Sequence, residues 1–428
     1  MNTSNRLNIP ALVKRLIDLL RDTFSRDEYS EVILPFMLLR RLDCVLLEAG
    51  DDKFSSIIIS NPSPHRFSSM LAESEHLAER LRDYMNGFGD NVCEILAHLG
   101  LMETIKRLED TRLLPLVVRT FASIDLSPHQ IPATIMGNLF EEVIRECDGV
   151  SSHPGEHFTP SDVTTLMVSL LLARGLPSSL ERDEEIAIYD PSCGSGGLLF
   201  GMCSHLQQIG ISRPITLWGQ EVNPVSYALC KAECYLYGLD ASHIALGNTL
   251  TDDRHAGKRF SLQIANPPFG HSWRNVQDEI VREAKLKDQG RFAAGFPARS
   301  DGQLLFLQHV LSHMKDADEG ESRIAILLNG SANTTGDAGS GESEIRRFVF
   351  EHDWLETMVA LPENLFHNTG IPTYLWMLSN RKPARRRGRV QLINAVDMWA
   401  PLRRSQGEKR RELTNDHIAQ IIHLYLTW

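Results

Sequence analysis

Ser261-Leu262-Gln263-Ile264-Ala265-Asn266-Pro267-Pro268-Phe269-Gly270 reads as a short apolar strand running straight into a stiff polar turn. The two prolines fix φ and remove two backbone donors, so the chain beyond Asn266 leaves the sheet with its carbonyls kept as acceptors. An amide side chain, a row of carbonyls and an aromatic ring are presented together at the carboxyl end of a strand. That set suits a planar base carrying an exocyclic amine: the oxygens accept its two N–H bonds and the ring stacks on its face. Taken alone, the commoner reading of such a stretch is a Pro-Pro turn over a buried phenylalanine. What precedes it in the chain decides.

Ile186-Ala187-Ile188-Tyr189-Asp190 reads as a strand ending in an acid, and Pro191-Ser192-Cys193-Gly194-Ser195-Gly196-Gly197 as a loop of small residues opening into a helix. Glycines there let the backbone approach a ligand closely. The loop is shorter than the dinucleotide pattern Gly-x-Gly-x-x-Gly, and Asp190 would repel a pyrophosphate. A ligand with a positive charge and an amino-acid ammonium fits better, and S-adenosylmethionine is one. Ile215 to Glu221 forms a second strand, its terminal Glu221 placed to accept ribose hydroxyls. Gly247-Asn248-Thr249-Leu250 closes a third unit, either with Asn248 placed to read the adenine of the cofactor or as a simple turn. The Asn-Pro-Pro-Phe strand is then the fourth. Ahead of the first strand, Glu156-His157-Phe158-Thr159-Pro160-Ser161-Asp162 leads into an apolar helix through Val163, Leu166, Met167 and Leu170. Thr159 or Ser161 is its expected N-cap, and its first turn offers backbone amides to a carboxylate.

In this order, Phe158-Thr159-Pro160, Asp190 to Gly197, Glu221 and Asn266-Pro267-Pro268-Phe269 resemble the motifs of amino-methylating DNA methyltransferases whose cofactor motif precedes the catalytic one. With its helical N-terminal part and Leu361-Pro362-Glu363-Asn364-Leu365-Phe366-His367-Asn368-Thr369-Gly370-Ile371-Pro372-Thr373, the chain resembles more closely the methylation subunit of type I restriction-modification systems. The resemblance runs from Leu7 to Arg381. It implies an α/β fold, a Rossmann-like, doubly wound, mostly parallel sheet of the S-adenosylmethionine-dependent methyltransferases, with an all-α N-terminal domain. It also implies transfer of a methyl group to the exocyclic amine of adenine in double-stranded DNA, alongside a separate specificity subunit and a restriction subunit. Asn266 and the Pro267 carbonyl would hold the amine, in a turn stiffened by Pro268, and Phe269 would stack on the flipped base. Glu156, His157, Phe158, Thr159, Pro160, Ser161, the loop Gly194-Ser195-Gly196-Gly197 and Glu221 would surround the cofactor. No metal is expected. Methylation at carbon 5 of cytosine would need a cysteine beside a proline, and no Pro-Cys dipeptide occurs.

The rest of the chain adds bounds. A length of 428 residues implies at least two domains. We expect a helical domain over 1–150, a catalytic domain over 151–380 and a basic segment over 381–428; chains of the family usually continue past the position of Tyr425 into a further segment that resemblance implicates in docking to the specificity subunit, so a shortened C-terminal part is expected. Gly149 to Gly155 is a turn-rich boundary. Apolar residues Leu12, Leu16, Leu19, Leu20 and Phe24 recur at helical spacing. A net charge of −11 argues against gripping DNA alone over a large surface, so a more basic partner is expected to hold much of it. Seven cysteines without a Cys-x-x-Cys pair read as reduced thiols. No apolar run is long enough to span a bilayer, and no signal-peptide core is present, so a cytoplasmic location is expected.

Local basic features could touch phosphate or be solvated faces: Arg40-Arg41, Lys106-Arg107, and the cluster over 381–411 with Arg385-Arg386-Arg387 and Arg403-Arg404. Residues 271–303, with Trp273, Lys285, Lys287, Arg291 and Arg299, read as a polar segment that closes over DNA or a solvated loop. Gly330 to Gly341 reads as a flexible loop. Two further readings stay open: a methyltransferase acting on a glutamine amide in a protein, and a cofactor-binding assembly subunit without turnover.

Overall fold

The computed structural model describes residues 9–49, 60–71, 76–127, 129–131, 159–181, 185–367 and 369–428, with single positions between 136 and 147. The boundary stretch 149–155 and Glu156, His157 and Phe158 lie outside the described residues. The chain forms two compact units, Met1–Ser152 with Pro224–Ala241, and His153–Asn223 with Ser242–Trp428.

The first unit is helical, with its longer helices at Ile9–Leu20, Tyr29–Ala49, Leu77–Asn86, Asp90–His98, Leu101–Asp110, Leu114–Ala122 and Pro224–Leu236. Their apolar residues recur three or four apart and meet in one core; Leu101, Ile105 and Leu108, for example, are fully buried along one helix face. The Tyr29–Ala49 helix runs through that core and is apolar nearly all round. Arg40 and Arg41 lie on it and are buried, which corrects the phosphate-contact reading for this pair. The Arg40 guanidinium meets Asp43 at 2.5 Å and donates to the Ile124 carbonyl at 2.9 Å, and Arg41 donates to the carbonyls of Leu126 and Ile131. Arg107 is likewise engaged, 2.6 Å from Glu28 and over the Phe24 ring. Glu233, on the Pro224–Leu236 helix, is wholly buried, and burial raises its carboxyl to about 8 against a smaller opposing influence of Arg41.

The second unit is built on an eight-stranded sheet with strands β1 Ile186–Asp190, β2 Ile215–Glu221, β3 Ile244–Leu246, β4 Leu262–Ala265, β5 Arg323–Asn329, β6 Leu355–Ala360, β7 Thr373–Ser379 and β8 Gln391–Asn394. Their order is β3-β2-β1-β4-β5-β7-β6-β8, with β7 the one strand that runs against its neighbours. This is the doubly wound, mostly parallel sheet expected from the sequence. Every position of β4 and β5 is buried, as strands covered on both faces must be. Alternation sorts the two faces. Arg323 points to the helix Ser161–Leu172 and donates to its Leu171 carbonyl, while Ile324, Ile326 and Leu328 pack with the helices Gln303–Ser312 and Gly341–Glu351. After the sheet come a hairpin, β9 Ala400–Gln406 and β10 Lys409–Glu412, and the helix Asn415–Thr427. That helix is locked by a buried ionic cluster in which Glu356 meets Arg386, meets Arg174 at 2.8 Å and accepts from Tyr425 Oη at 3.2 Å.

Three sequence expectations change here. The Ser161–Leu172 helix has Pro160 at its N-cap position, and neither Thr159 nor Ser161 caps it; the Thr159 hydroxyl is taken by a different partner, described below. Residues 271–303 are not a solvated loop. They carry the helix Gln277–Ala284 and bury Trp273, Ile280 and Phe292 in one cluster with Leu250 and Leu305. Arg291 is drawn inward, 2.5 Å from Glu283 and donating to the Thr249 and Leu250 carbonyls, so it is not a free DNA contact. Gly330 to Gly341 opens with the short helix Ser331–Thr334, runs exposed over 334–339 as the loop expected, and is packed again at its far end. A Cβ on Gly341 would stand 1.7 Å from the Phe296 carbonyl, so only glycine lets the two segments meet.

Candidate functional site

The chain runs β1 to β2 to β3 on one side and then crosses to β4 on the other, so the strand order reverses between β1 and β4. In open α/β sheets the crevice at such a reversal, at the carboxyl ends of the strands, is where ligands sit. Asp190, Glu221 and Asn266 stand at or immediately beyond the carboxyl ends of β1, β2 and β4.

The loop after β1 turns at Gly194 and Gly196, whose φ values of +55° and +91° are left-handed and strain any residue with a side chain. Gly197 then opens the helix Gly197–Gln208, and Ser195 is buried beside it. Gly194 N donates to Glu221 at 2.9 Å and Asn223 N to the same carboxylate at 2.8 Å, so Glu221 binds the first two strand-end loops together. The third joins through Thr249, whose hydroxyl donates to the Pro191 carbonyl at 2.5 Å. Asn248, next to it, accepts from Leu250 N at 3.0 Å through its own side-chain oxygen. Asp190 is buried, with its carboxylate accepting from Ser192 N at 3.0 Å. Burial is the main influence on it and the neighbouring Glu221 charge adds to it, raising the carboxyl to about 8. A neutral buried carboxyl of this kind ionises when a cation arrives.

Asn266 is buried, and its Nδ2 donates to Thr159 Oγ1 at 2.9 Å. This contact between residues 107 apart fixes the amide with its carbonyl oxygen turned from Thr159. Pro267 is buried, Pro268 half-buried, and the Phe269 ring packs edge-to-face on Phe366 with centroids 6.1 Å apart. The structure thus brings Thr159, Pro160 and the Asn-Pro-Pro-Phe turn together, and separately ties Gly194, Glu221 and the loop carrying Asn248 at the same strand ends.

Sequence reading missed what holds the turn from behind. Gly270 N faces Asp301 at 3.3 Å, and Asp301 also takes bonds from the Gln303 amide and the Ser331 hydroxyl at 2.7 and 2.6 Å. Gln303 and Asn329 exchange two bonds, at 2.6 and 2.8 Å. The rule that selected Asp190 and Glu221, a polar residue closing a buried strand, would have selected Asn329 at the end of β5.

Among the described residues, Asp253, His309 and His313 have the mutual spacing of metal ligands. Protein groups already engage them. Arg291 donates to His309 Nδ1 at 2.9 Å, which places the ring proton on Nε2, 2.7 Å from the Tyr189 hydroxyl. His313 lies 3.1 Å from Asp253 and 2.8 Å from the Lys258 carbonyl. Burial holds His309 well below the ordinary imidazole range. A guanidinium on one ligand nitrogen opposes a second cation, and we read the group as a buried hydrogen-bonded relay.

Comparison with known proteins gives a consistent set of matches. The model for N-6 DNA Methylase matches residues 132–428, and that for the HsdM N-terminal domain matches residues 10–121. The chain is 25% identical, over 95% of its length and 75% of the relative, to the type I restriction enzyme MjaIX methylase subunit of Methanocaldococcus jannaschii. It is 28% identical, over 69% of its length and 60% of the relative, to the HindI methylase subunit of Haemophilus influenzae. The chain therefore spans between 60% and 75% of the length of these two relatives. In fold it is similar to the type I restriction-modification methyltransferase subunit from Streptococcus thermophilus, at a TM-score of 0.73 and 20% identity, over 98% of this chain and 92% of that one.

Proposed function

Since the chain belongs to the N-6 DNA methylase family, we propose that it is the methylation subunit of a type I restriction-modification system, methylating the exocyclic amine of adenine in DNA. The observation that carries this is Asn266, buried at the end of β4 with its amide oriented by Thr159 and followed by two prolines. The specificity subunit reads the DNA sequence, and a restriction subunit completes the system. No described helix is long and apolar enough to cross a membrane, and we place the protein in the cytoplasm. The matched family and relatives favour this reading over a protein-glutamine methyltransferase and over an assembly subunit without turnover.

The residues present fit S-adenosylmethionine. The Asp190 carboxyl, buried and neutral at pH 7, suits the ammonium of an amino-acid moiety. A Cβ at Gly194 would meet no atom within 4 Å, so the loop leaves open space along its backbone. Glu221 would accept from ribose, and Asn248 would read the adenine of the cofactor. Thr159, Pro160 and Ser161 would take part in surrounding the cofactor. When bound, S-adenosylmethionine supplies a methyl group on an electrophilic sulfonium.

The chain's own residues do the rest by position. The target base leaves the duplex at a cost of about a few kcal/mol, and Phe269 offers it a stacking face. Asn266 Oδ1 and the Pro267 carbonyl accept the two amine N–H bonds. Two acceptors out of the ring plane favour a pyramidal nitrogen, which frees the lone pair from the ring. Pro267 and Pro268 hold these acceptors without backbone motion, so positioning and electrostatics carry the rate. The test is incubation with methyl-labelled S-adenosylmethionine and duplex DNA, with and without the specificity subunit. DNA labelling that needs the partner and is lost in Asn266→Ala, with cofactor still bound, is expected. Labelling that survives Asn266→Ala would sink the assignment.

A further inference from the structure

The basic stretch 381–411 divides in the structure. Lys382, Arg386 and Lys409 are buried against Asp353, Glu356 and Asp162 and are not available to a ligand. Arg403 and Arg410 stand exposed on the β9–β10 hairpin, and Arg411 is half-buried with its guanidinium 4.1 Å over the Trp399 ring. Arg411 pairs with Pro401 and Lys409 with Gln406. Between these pairings β10 has the single residue Arg410 while β9 has the four residues 402–405, so the extra residues bulge from β9 opposite Arg410, and Arg403 is among them; such a bulge re-aims side chains.

Two sets of contacts tie this hairpin to the Asn-Pro-Pro-Phe turn. Lys409 Nζ bonds both Asp162 oxygens at 3.0 Å, and Asp162 lies in the first turn of the helix that Thr159, the partner of Asn266, leads into. On the other side Phe269 packs on Phe366, and the next carbonyl, that of His367, accepts from Glu408 N at 2.8 Å. Asn364 adds a third tie, its carbonyl accepting from Arg410 N at 3.0 Å. A hairpin fastened at both these points holds its arginines at a fixed distance from whatever Asn266 grips. The chain as a whole carries a charge of −11, so a hairpin with Arg403, Arg410 and Arg411 in reach of solvent stands out locally, even with the Glu408 carboxylate 3.9 Å from Arg410. Guanidinium groups bind phosphate through paired donors, and a base held at Asn266 brings its flanking backbone with it.

We infer that the β9–β10 hairpin is a phosphate clamp, with Arg403, Arg410 and Arg411 gripping the DNA backbone beside the flipped base. The inference rests on the reading of Asn266 given above. Such contacts set the position and affinity of the duplex and carry no sequence information of their own.

The test uses the full chain with its specificity subunit and a mixed-sequence duplex, with binding measured across a salt titration. Each phosphate contact contributes about 0.9 to the slope of log affinity against log salt. The double variant Arg403→Gln/Arg410→Gln is expected to lower the magnitude of that slope by about 1.8, by the same counterion count. Its affinity for S-adenosylmethionine should match wild type, and Arg403→Lys/Arg410→Lys should restore the slope. A wild-type complex that binds duplex with a slope the glutamine pair leaves unchanged overturns the clamp alone. A wild-type complex that neither binds nor labels DNA overturns the methyltransferase reading and the clamp with it.

Discussion

Thr159→Val is the substitution that examines the site most sharply. Valine keeps the shape of threonine and removes the hydroxyl that receives Nδ2 of the buried Asn266, at 2.9 Å. A buried donor stripped of its acceptor costs about 1–3 kcal/mol. The amide escapes that cost by rotating, which takes Oδ1 off the amine. At 1.36 kcal/mol per tenfold in rate, the loss corresponds to a fall in kcat of about 5- to 150-fold. Thr159→Ser retains the hydroxyl and should stay within about 3-fold of wild type, less than 1 kcal/mol on the same scale. The assay is turnover of labelled S-adenosylmethionine on duplex DNA in the presence of the specificity subunit, with cofactor affinity followed separately by calorimetry. Wild-type turnover by Thr159→Val, or an equal loss in Thr159→Ser, would refute the role given to the hydroxyl.

Other consequences are equally direct. Because burial raises Asp190 to about 8 and a bound ammonium favours its ionised form, the proton must leave on binding; cofactor affinity should rise up to tenfold per pH unit toward pH 8 and fall above it, where the cofactor's own α-ammonium loses its proton. Calorimetry in buffers of different ionisation enthalpy should register the Asp190 proton, and Asp190→Asn should abolish the rise. Glu233 also has a folded-state value near 8, above the ordinary 4.5 of the unfolded chain, so the folded state binds the extra proton and stability falls as pH rises from about 4.5 to about 8. Urea unfolding across that window should show a shallower fall for Glu233→Gln. Glu356→Ala strands the buried Arg386 and the mostly buried Arg174, and should lower the unfolding free energy by about 3–5 kcal/mol, read from the urea midpoint.

Much of the fold was legible because its first four strands announce themselves in one way: a short apolar run, then a polar residue or a turn. Asp190, Glu221 and Asn266 were read from that pattern, and the structure sets each at a strand end beside the reversal in strand order. The later part of the sheet was not read. β6 runs into Leu361-Pro362 without a polar stop, β7 and β8 end in Ser379 and Asn394 but open into no loop of small residues, and only β5 stood out by its apolar run. Cationic residues misled for a physical reason. Arg41, Arg386 and Lys409 are buried against partners far away in the chain, and Arg40 and Arg291 add carbonyls of Ile124 and Thr249 to nearer carboxylates, so sequence spacing says little about which groups will face them. The same holds for Thr159. Its position suggested a helix cap, and only folding shows that Asn266, 107 residues on, claims the hydroxyl.

The central claim is that the group held at Asn266 is the amine of adenine in DNA. The measurement that meets it most directly is nucleoside analysis of duplex DNA after reaction with the chain, its specificity subunit and labelled S-adenosylmethionine. Label recovered as N6-methyladenine, absent without the specificity subunit, is the predicted result. Label recovered on a cytosine or on protein glutamine, or cofactor binding with no labelled product, would contradict it.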